Sequence, residues 1–429
     1  MNRQDKKRNK IILICITIFI NIGFLGFFKY SAFIIDNINA LSDLLGIEKN
    51  NIHINIILPI GISFYTFMAL SYIIDVYRKK IKAEKNFIKY ALFVSFFPQI
   101  LSGPIGRAPM LIPQINSLPY KNLYDLKRIL SGLEMMLFGY FIKMVIGDRI
   151  AIFVNAVYGD YTSYGTTILI ITAIFYSIQI YCDFAGYSYI AIGVARIMGI
   201  NLMENFNTPY FSCSIQEFWR RWHISLSSWF RDYIYIPLGG NRRGIVYINI
   251  MVTFILSGIW HGSGLTFIAW GALHGFYQVV GKVFYKPKRL LEKKFAIRTC
   301  TFSYKLWQAI LTFSLVSFAW IFFRADSLNI AINYIQRMFS VFDVWVLFDG
   351  SIYDIALDRR EFLILFIAII IMLVVDIYKR VTNQSIGRFL NRQWFPFRIT
   401  IYIVAVLLIY IFGIYGSSFE ASSFIYFKF

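Results

Sequence analysis

The chain has little charge. Asp, Glu, Lys and Arg make up 15% of its 429 residues, where a soluble domain carries about 25%, so an ordinary water-soluble globule is excluded. Cysteine is scarce as well. Cys15, Cys182, Cys213 and Cys300 have no paired or metal-ligand spacing, which excludes a disulfide framework and a zinc site and leaves them as small apolar packing residues. A Gly-x-Ser-x-Gly elbow is missing, and with it the strand-to-helix nucleophile of the α/β-hydrolases. The period-two alternation of a membrane β-barrel is missing too. No internal repeat, low-complexity linker or polar domain interrupts the sequence, so 1–429 reads as a single domain.

What is present is apolar sequence in long blocks. Hydrophobic residues reach 58% and gather in stretches near 11–28, 54–77, 130–147, 166–182, 245–260, 263–281, 305–323, 361–378 and 399–415. About 20 apolar residues cross the ~30 Å hydrocarbon core as a helix, because a helix satisfies its own backbone amides. The expectation is an all-α polytopic membrane protein with about nine spanning helices. The first block follows a basic start but is long for a signal peptide and has no small-residue cleavage site before Lys29, so it reads as an uncleaved span.

The net charge of +20 would suggest nucleic acid in a soluble protein, but its placement argues against that partner. Basic clusters sit at the N-terminus and at 78–89, 220–243, 282–305 and 379–398, while 36–53, 148–165 and 325–360 have little excess Lys or Arg. The positive-inside rule sends the first set, and the N-terminus, to the cytoplasm. Threading the blocks through these sides leaves 31–47 as a short amphipathic segment. It leaves 90–102, which runs into Pro98, Gly103, Pro104 and Gly106, as a re-entrant or interfacial piece. The stretch 184–200 reads as a second short segment, with Asp183 beside a chain break. The blocks at 245–260 and 263–281 form a hairpin that carries His261 away from the cytoplasm.

The stretch 201–244 is too polar to span. It interleaves Arg220, Arg221, Arg231, Arg242 and Arg243 with Trp219, Trp222, Trp229, Tyr233 and Tyr235. That pattern suits a membrane interface, and it suits an anionic ligand equally well. Of four histidines, His223, His261 and His274 fall in one short window. Histidine is the default general base near neutral pH, and an ionisable residue within the membrane is a functional candidate. His261 is the stronger candidate, because Gly258, Gly262 and Gly264 allow close approach to its ring. His223 has an ordinary structural alternative in a backbone-bonded histidine. His274 lies thirteen residues beyond His261, about 20 Å along a continuous helix, and reads as a packing residue.

Several strings then match a known pattern: LPIGISFYTF at 58–67, SYIIDVYR at 71–78, FFPQILSGPIGR at 96–107, YCDFAGYSYIAIG at 181–193 and ENFNTPY at 204–210. QEFWRRWHISLSSWFRDYIYIPLGGNRRG at 216–244, SGIWHGSGLTFIAWGALHG at 257–275, WIFFRA at 320–325 and the terminal FIYFKF continue it. The sequence resembles the membrane-bound O-acyltransferase family, in its alginate and peptidoglycan O-acetylation branch. The PLGGNRRG string looks more like the alginate type than the branch that moves D-alanine to teichoic acid.

The resemblance implies a helical bundle that moves an acyl group from a cytoplasmic thioester donor, such as acetyl-coenzyme A, to a hydroxyl on the outer face. The acceptor would be a polysaccharide or an extracytoplasmic acetyltransferase partner, in a bacterial plasma membrane. The family's invariant histidine corresponds to His261 and its second motif histidine to His223. With acetyl-coenzyme A as donor, Arg220, Arg221, Arg231, Arg242 and Arg243 would attract its phosphates beside Trp219. No resident cofactor or metal is implied. Two departures stand out: the chain is short at its N-terminus relative to the family, and Tyr189 stands where the family has an acidic residue. A transporter or flippase for a lipid-linked sugar is the rival class; its inverted repeats are not visible. A scaffold that recruits a separate acetyltransferase is a third reading.

Overall fold

In the computed structural model, residues 3–46, 59–242 and 245–415 are described. Every regular element among them is a helix. α1 (Arg3–Leu44) is one helix of 42 residues, about 63 Å long, so the short segment expected at 31–47 is its continuation as far as Leu44, and residue 47 lies outside the described residues. α2 (Ile62–Tyr77) starts at Gly61, whose φ of 76° only glycine adopts at ease. The expected start of that block, 54–58, lies outside the described residues. α3 (Phe87–Ser95) is capped by the Asn86 side chain, which accepts from the amides of Ile88 and Lys89. The chain breaks at Phe96, and α4 (Phe97–Ser102) opens with Pro98 in its first turn. The expected non-spanning piece is therefore two short helices, followed by α5 (Ala108–Ser117).

α6 (Leu126–Tyr140) runs through a π-helical stretch, Phe141–Gly147, into α7 (Asp148–Gly159) as one continuous rod of 34 residues. α8 (Thr166–Ile197) is likewise unbroken over 32 residues and largely buried, with Ile170 and Ile174 exposed near its start. The separate segment expected at 184–200 is thus the second half of α8, and Asp183 stands mid-helix rather than at a break. What permits the carboxylate there is Lys143 of the π-helical stretch, 2.5 Å from both Asp183 and Asp148. Glycines let the two rods touch. A Cβ on Gly132 would lie 2.7 Å from the Gly193 carbonyl oxygen, and one on Gly139 2.7 Å from that of Gly186. Such small-residue seams are a common way for membrane helices to pack.

After α8 the chain folds as short pieces, α9 (Ile215–Arg221), α10 (Ile224–Phe230) and a π-helical turn, Arg231–Tyr235. Trp219, Trp222, Trp229 and Tyr233 are buried, so these aromatics belong to the core and not to a headgroup layer. α11 (Val246–His261) and α12 (Leu265–Val283) form the expected hairpin. The basic α13 (Tyr285–Lys294) has no buried residue. The remaining helices are α14 (Phe302–Arg324), α15 (Leu328–Ser340), α16 (Arg359–Thr382), α17 (Ile386–Leu390) and α18 (Phe395–Phe412). Six described helical runs are long and apolar enough to cross a membrane: α1, α6–α7, α8, α14, α16 and α18. α2 and α11 are apolar but shorter.

Contacts between loops fall into two sets. Thr166 donates to the Val341 carbonyl, Arg337 to that of Tyr164, and Asp343 accepts from the amides of Gly165 and Thr167. These lie within, or directly beside, the segments with little basic excess. Elsewhere Arg78 meets Asp232, Lys282 meets Asn241, Lys379 meets Glu204 and Arg380 meets Glu217, each with at least one partner in a basic segment.

Candidate active site

The α11–α12 hairpin closes tightly because Gly258 and Gly271 face the opposite backbone. A Cβ on Gly258 would fall 2.2 Å from the Phe267 carbonyl oxygen, and one on Gly271 2.4 Å from that of Phe254. His261 is the last residue of α11, and its buried ring rests on Trp260, Trp270 and Phe323 at centroid distances of 4.9, 5.0 and 5.3 Å. α1 reaches the same place, where Lys29 and Tyr30 donate to backbone carbonyls at the end of α11.

His223 precedes α10 in a left-handed conformation, φ 42° and ψ 54°. Such a backbone is uncommon outside glycine and clusters at functional sites. Asn205 fixes the turn: its carbonyl accepts from the Ile224 amide at 2.9 Å, and its Oδ1 accepts from the Ser225 hydroxyl at 2.6 Å. The His223 ring is fully buried, 4.6 Å from Phe184 and 6.3 Å from Trp260. His223 and His261 therefore share the Trp260 indole, and their rings are no more than about 11 Å apart.

His274 corrects the spacing drawn from a continuous helix. The turn at 262–264 folds α12 back beside α11, so the His274 ring lies 5.0 Å from the same Trp270 that touches His261. The two rings are at most about 10 Å apart, not about 20 Å. Trp219 donates its indole N–H to His274 Nδ1 at 3.3 Å, which places Trp219 between α9 and α12 rather than on an open face.

The arginines separate into two kinds. Arg220, Arg231 and Arg242 are exposed, although Arg231 leans on Asp232 at 2.8 Å. Arg221 is half-buried and held by Glu217 at 2.9 Å, a carboxylate that also takes Arg380. Arg243 lies outside the described residues. Two further guanidiniums join this side of the molecule. Arg78 and Arg107 lie over the Tyr233 ring at 5.6 and 4.7 Å, and Arg107 pairs with Asp232 at 3.5 Å. The sequence signals for both were the basic loop after α2 and the glycine-proline run before Arg107. Among the described residues no three His, Cys, Asp or Glu side chains converge as a metal site would require.

A profile of the membrane-bound O-acyltransferase family matches residues 53–325, which include both His223 and His261. The chain belongs to that family. It is similar to a probable alginate O-acetylase of Pseudomonas syringae pv. tomato, 41% identical over 329 residues, covering 76% of this chain and 60% of that one. It is similar to a peptidoglycan O-acetyltransferase of Helicobacter pylori, 35% identical over 370 residues, with 80% and 66% covered. A teichoic acid D-alanyltransferase of Bacillus subtilis is 34% identical over 240 residues, with 51% and 58% covered. The chain thus spans about three-fifths of the length of the curated relatives it matches. Tyr189, in the place where the family pattern has an acidic residue, packs edge-on against Phe138 at 5.5 Å with the Lys379 ammonium 5.8 Å from its ring.

Proposed function

We propose that this protein is a membrane O-acyltransferase that moves an acetyl group from a thioester donor to a hydroxyl of a cell-surface polysaccharide or of an extracytoplasmic partner. The observation that carries the reading is the burial of His261 and His223, from separate segments, against one tryptophan inside a helical membrane protein of this family. His261 takes the proton of the acceptor hydroxyl as its oxygen attacks the acyl carbonyl. The new C–O bond replaces the C–S bond, and the departing thiolate receives the proton. His223 orients the thioester. No protein nucleophile is needed.

The exposed Arg220, Arg231 and Arg242, together with Arg243, the next residue in sequence, attract the phosphates of the donor, for which acetyl-coenzyme A is the candidate, and Arg78 and Arg107 extend that basic face. Arg221 and Trp219 hold α9 in place through Glu217 and His274. Adding α2, α11 and α12 to the six long runs gives nine crossings of a bacterial plasma membrane by a single domain, with the N-terminus and the basic loops in the cytoplasm. The expected acceptor is alginate-like or peptidoglycan-like, in keeping with the alginate O-acetylase and peptidoglycan O-acetyltransferase among the relatives.

The test is mass spectrometry of base-released acyl groups from surface polymers, comparing wild type, deletion and His261→Ala at equal membrane abundance. Acetate lost in both the deletion and the variant supports the reading. Acetate retained with His261→Ala sinks the base assignment and favours a scaffold, D-alanine in its place moves the chain to the teichoic acid branch, and an unchanged acyl profile in the deletion leaves transport as the better reading.

A further inference from the structure

The last four carbonyls of a helix have no amide within the helix to receive. Where such an end is buried in protein, water is not there to replace it. α11 ends at His261, and its terminal carbonyls are all occupied. The Gly262 amide returns to the Gly258 carbonyl at 3.3 Å. The other three take side chains from adjacent residues of α1. Tyr30 donates its hydroxyl to the Ile259 carbonyl. Lys29 Nζ donates to the Trp260 carbonyl at 2.5 Å and to the His261 carbonyl at 2.9 Å. The same ammonium lies 5.8 Å from the Trp260 ring, within reach of a cation–π attraction, and it puts a positive charge at the negative end of the helix dipole.

Lys29 is also unusual by position. It lies nineteen residues beyond Lys10, the preceding basic residue, about 28 Å along α1. Its ammonium is part-buried against the end of α11 rather than in open water, and burying a charge costs free energy unless it is paired.

We propose that Lys29 and Tyr30 are positioning residues of the acyl-transfer site, a clamp by which α1 sets the backbone from which the His261 ring projects. This rests on the acyl-transfer reading. The clamp fixes the peptide planes on both sides of Trp260, so it holds the indole that His223 and His261 share as well as the origin of the His261 side chain. Losing it leaves the donor-binding face untouched and blurs the geometry of proton removal. A displacement of about 1 Å at such a group can cost on the order of a hundredfold in rate.

The experiment uses inverted membrane vesicles from cells producing the full chain, supplied with radiolabelled acetyl-coenzyme A, and reads base-labile label in polymer as donor concentration is varied. Lys29→Met should lower the maximal rate roughly ten- to a hundredfold, with the KM for acetyl-coenzyme A within about twofold of wild type, the pattern of a lost transition-state contribution. Lys29→Arg, which keeps charge and donors, should recover part of that rate, and Tyr30→Phe should show a smaller loss of the same kind. A wild-type rate in Lys29→Met overturns the proposal, as does a raised KM at unchanged maximal rate, or Lys29→Arg no better than Lys29→Met at equal abundance. If Lys29→Met fails to accumulate, Tyr30→Phe decides, since it removes one oxygen, and an unchanged rate overturns the clamp. His261→Ala, assayed alongside, separates the two ideas: label retained there refutes the acyl-transfer reading, while label lost there and kept in Lys29→Met refutes only the clamp.

Discussion

Lys143 shows how a single side chain decides what an apolar helix can tolerate. Its ammonium is buried between Asp148 and Asp183, each 2.5 Å away, and lies 5.2 Å from the Tyr187 ring. Removing one partner of a buried ionic group strands the others, at about 3–5 kcal/mol. Lys143→Met is therefore expected to lower the thermal unfolding temperature of the detergent-solubilised protein. Adding Asp183→Asn should lower it by less than the sum of the single changes. The triad also explains where sequence reasoning stopped. Asp183 next to a glycine-containing run resembles the end of a span as long as its partner is unknown. That partner is forty residues away in sequence. Lys29 was hidden for the same reason, because no local pattern shows that a lone lysine meets a helix end more than 200 residues later. His261 was legible because its glycine-flanked setting is local.

Among the elements, the hairpins were legible and the joints were not. Hydropathy places α11, α12, α14, α16 and α18 within a few residues. It divides α8 in two, because Asp183 and the small residues after it weaken the apolar run while tertiary partners keep the helix whole. It also cannot tell an aromatic-rich loop at the headgroups from one folded into the core. Trp222 and Trp229 are buried by α9 and α10 turning inward, which only packing reveals. The α11–α12 seam gives a sharp expectation at this scale. Gly258→Val would drive side-chain atoms into the backbone at Phe267, whereas Gly264→Ala meets only ordinary contact at 3.4 Å. Gly258→Val should cost at least tenfold in acyl-transfer rate, by moving α12 away from α11, for the same reason that misplaced catalytic groups cost rate. Gly264→Ala should stay within about twofold, and initial rates in membrane vesicles check both.

For the whole molecule, the charge of the loops assigns those around Asp232 and Glu217 to the cytoplasmic side and those around Asp343 to the other, which ties every loop to one orientation. Cys300, exposed after the basic α13, reports it. In a chain keeping Cys300 as its sole cysteine, a membrane-impermeant maleimide should label inverted vesicles and spare intact cells; the reverse pattern would invert the topology. A chain keeping only the buried Cys182 should resist label from both sides. The Lys143 triad bears on how such a chain is made. The α6–α7 rod leaves the ribosome first and carries Lys143 and Asp148 as a neutral pair, so it can enter lipid unaided. α8 follows with Asp183 bare, a charge worth about 2.5–3.5 kcal/mol against release at the middle of a helix. Its exit from the insertion machinery is expected to wait until its glycines seat on those of α6 and Asp183 finds Lys143. Biogenesis of the buried centre would then be templated by its predecessor, and Asp183→Leu should free α8 from that order while weakening the finished protein.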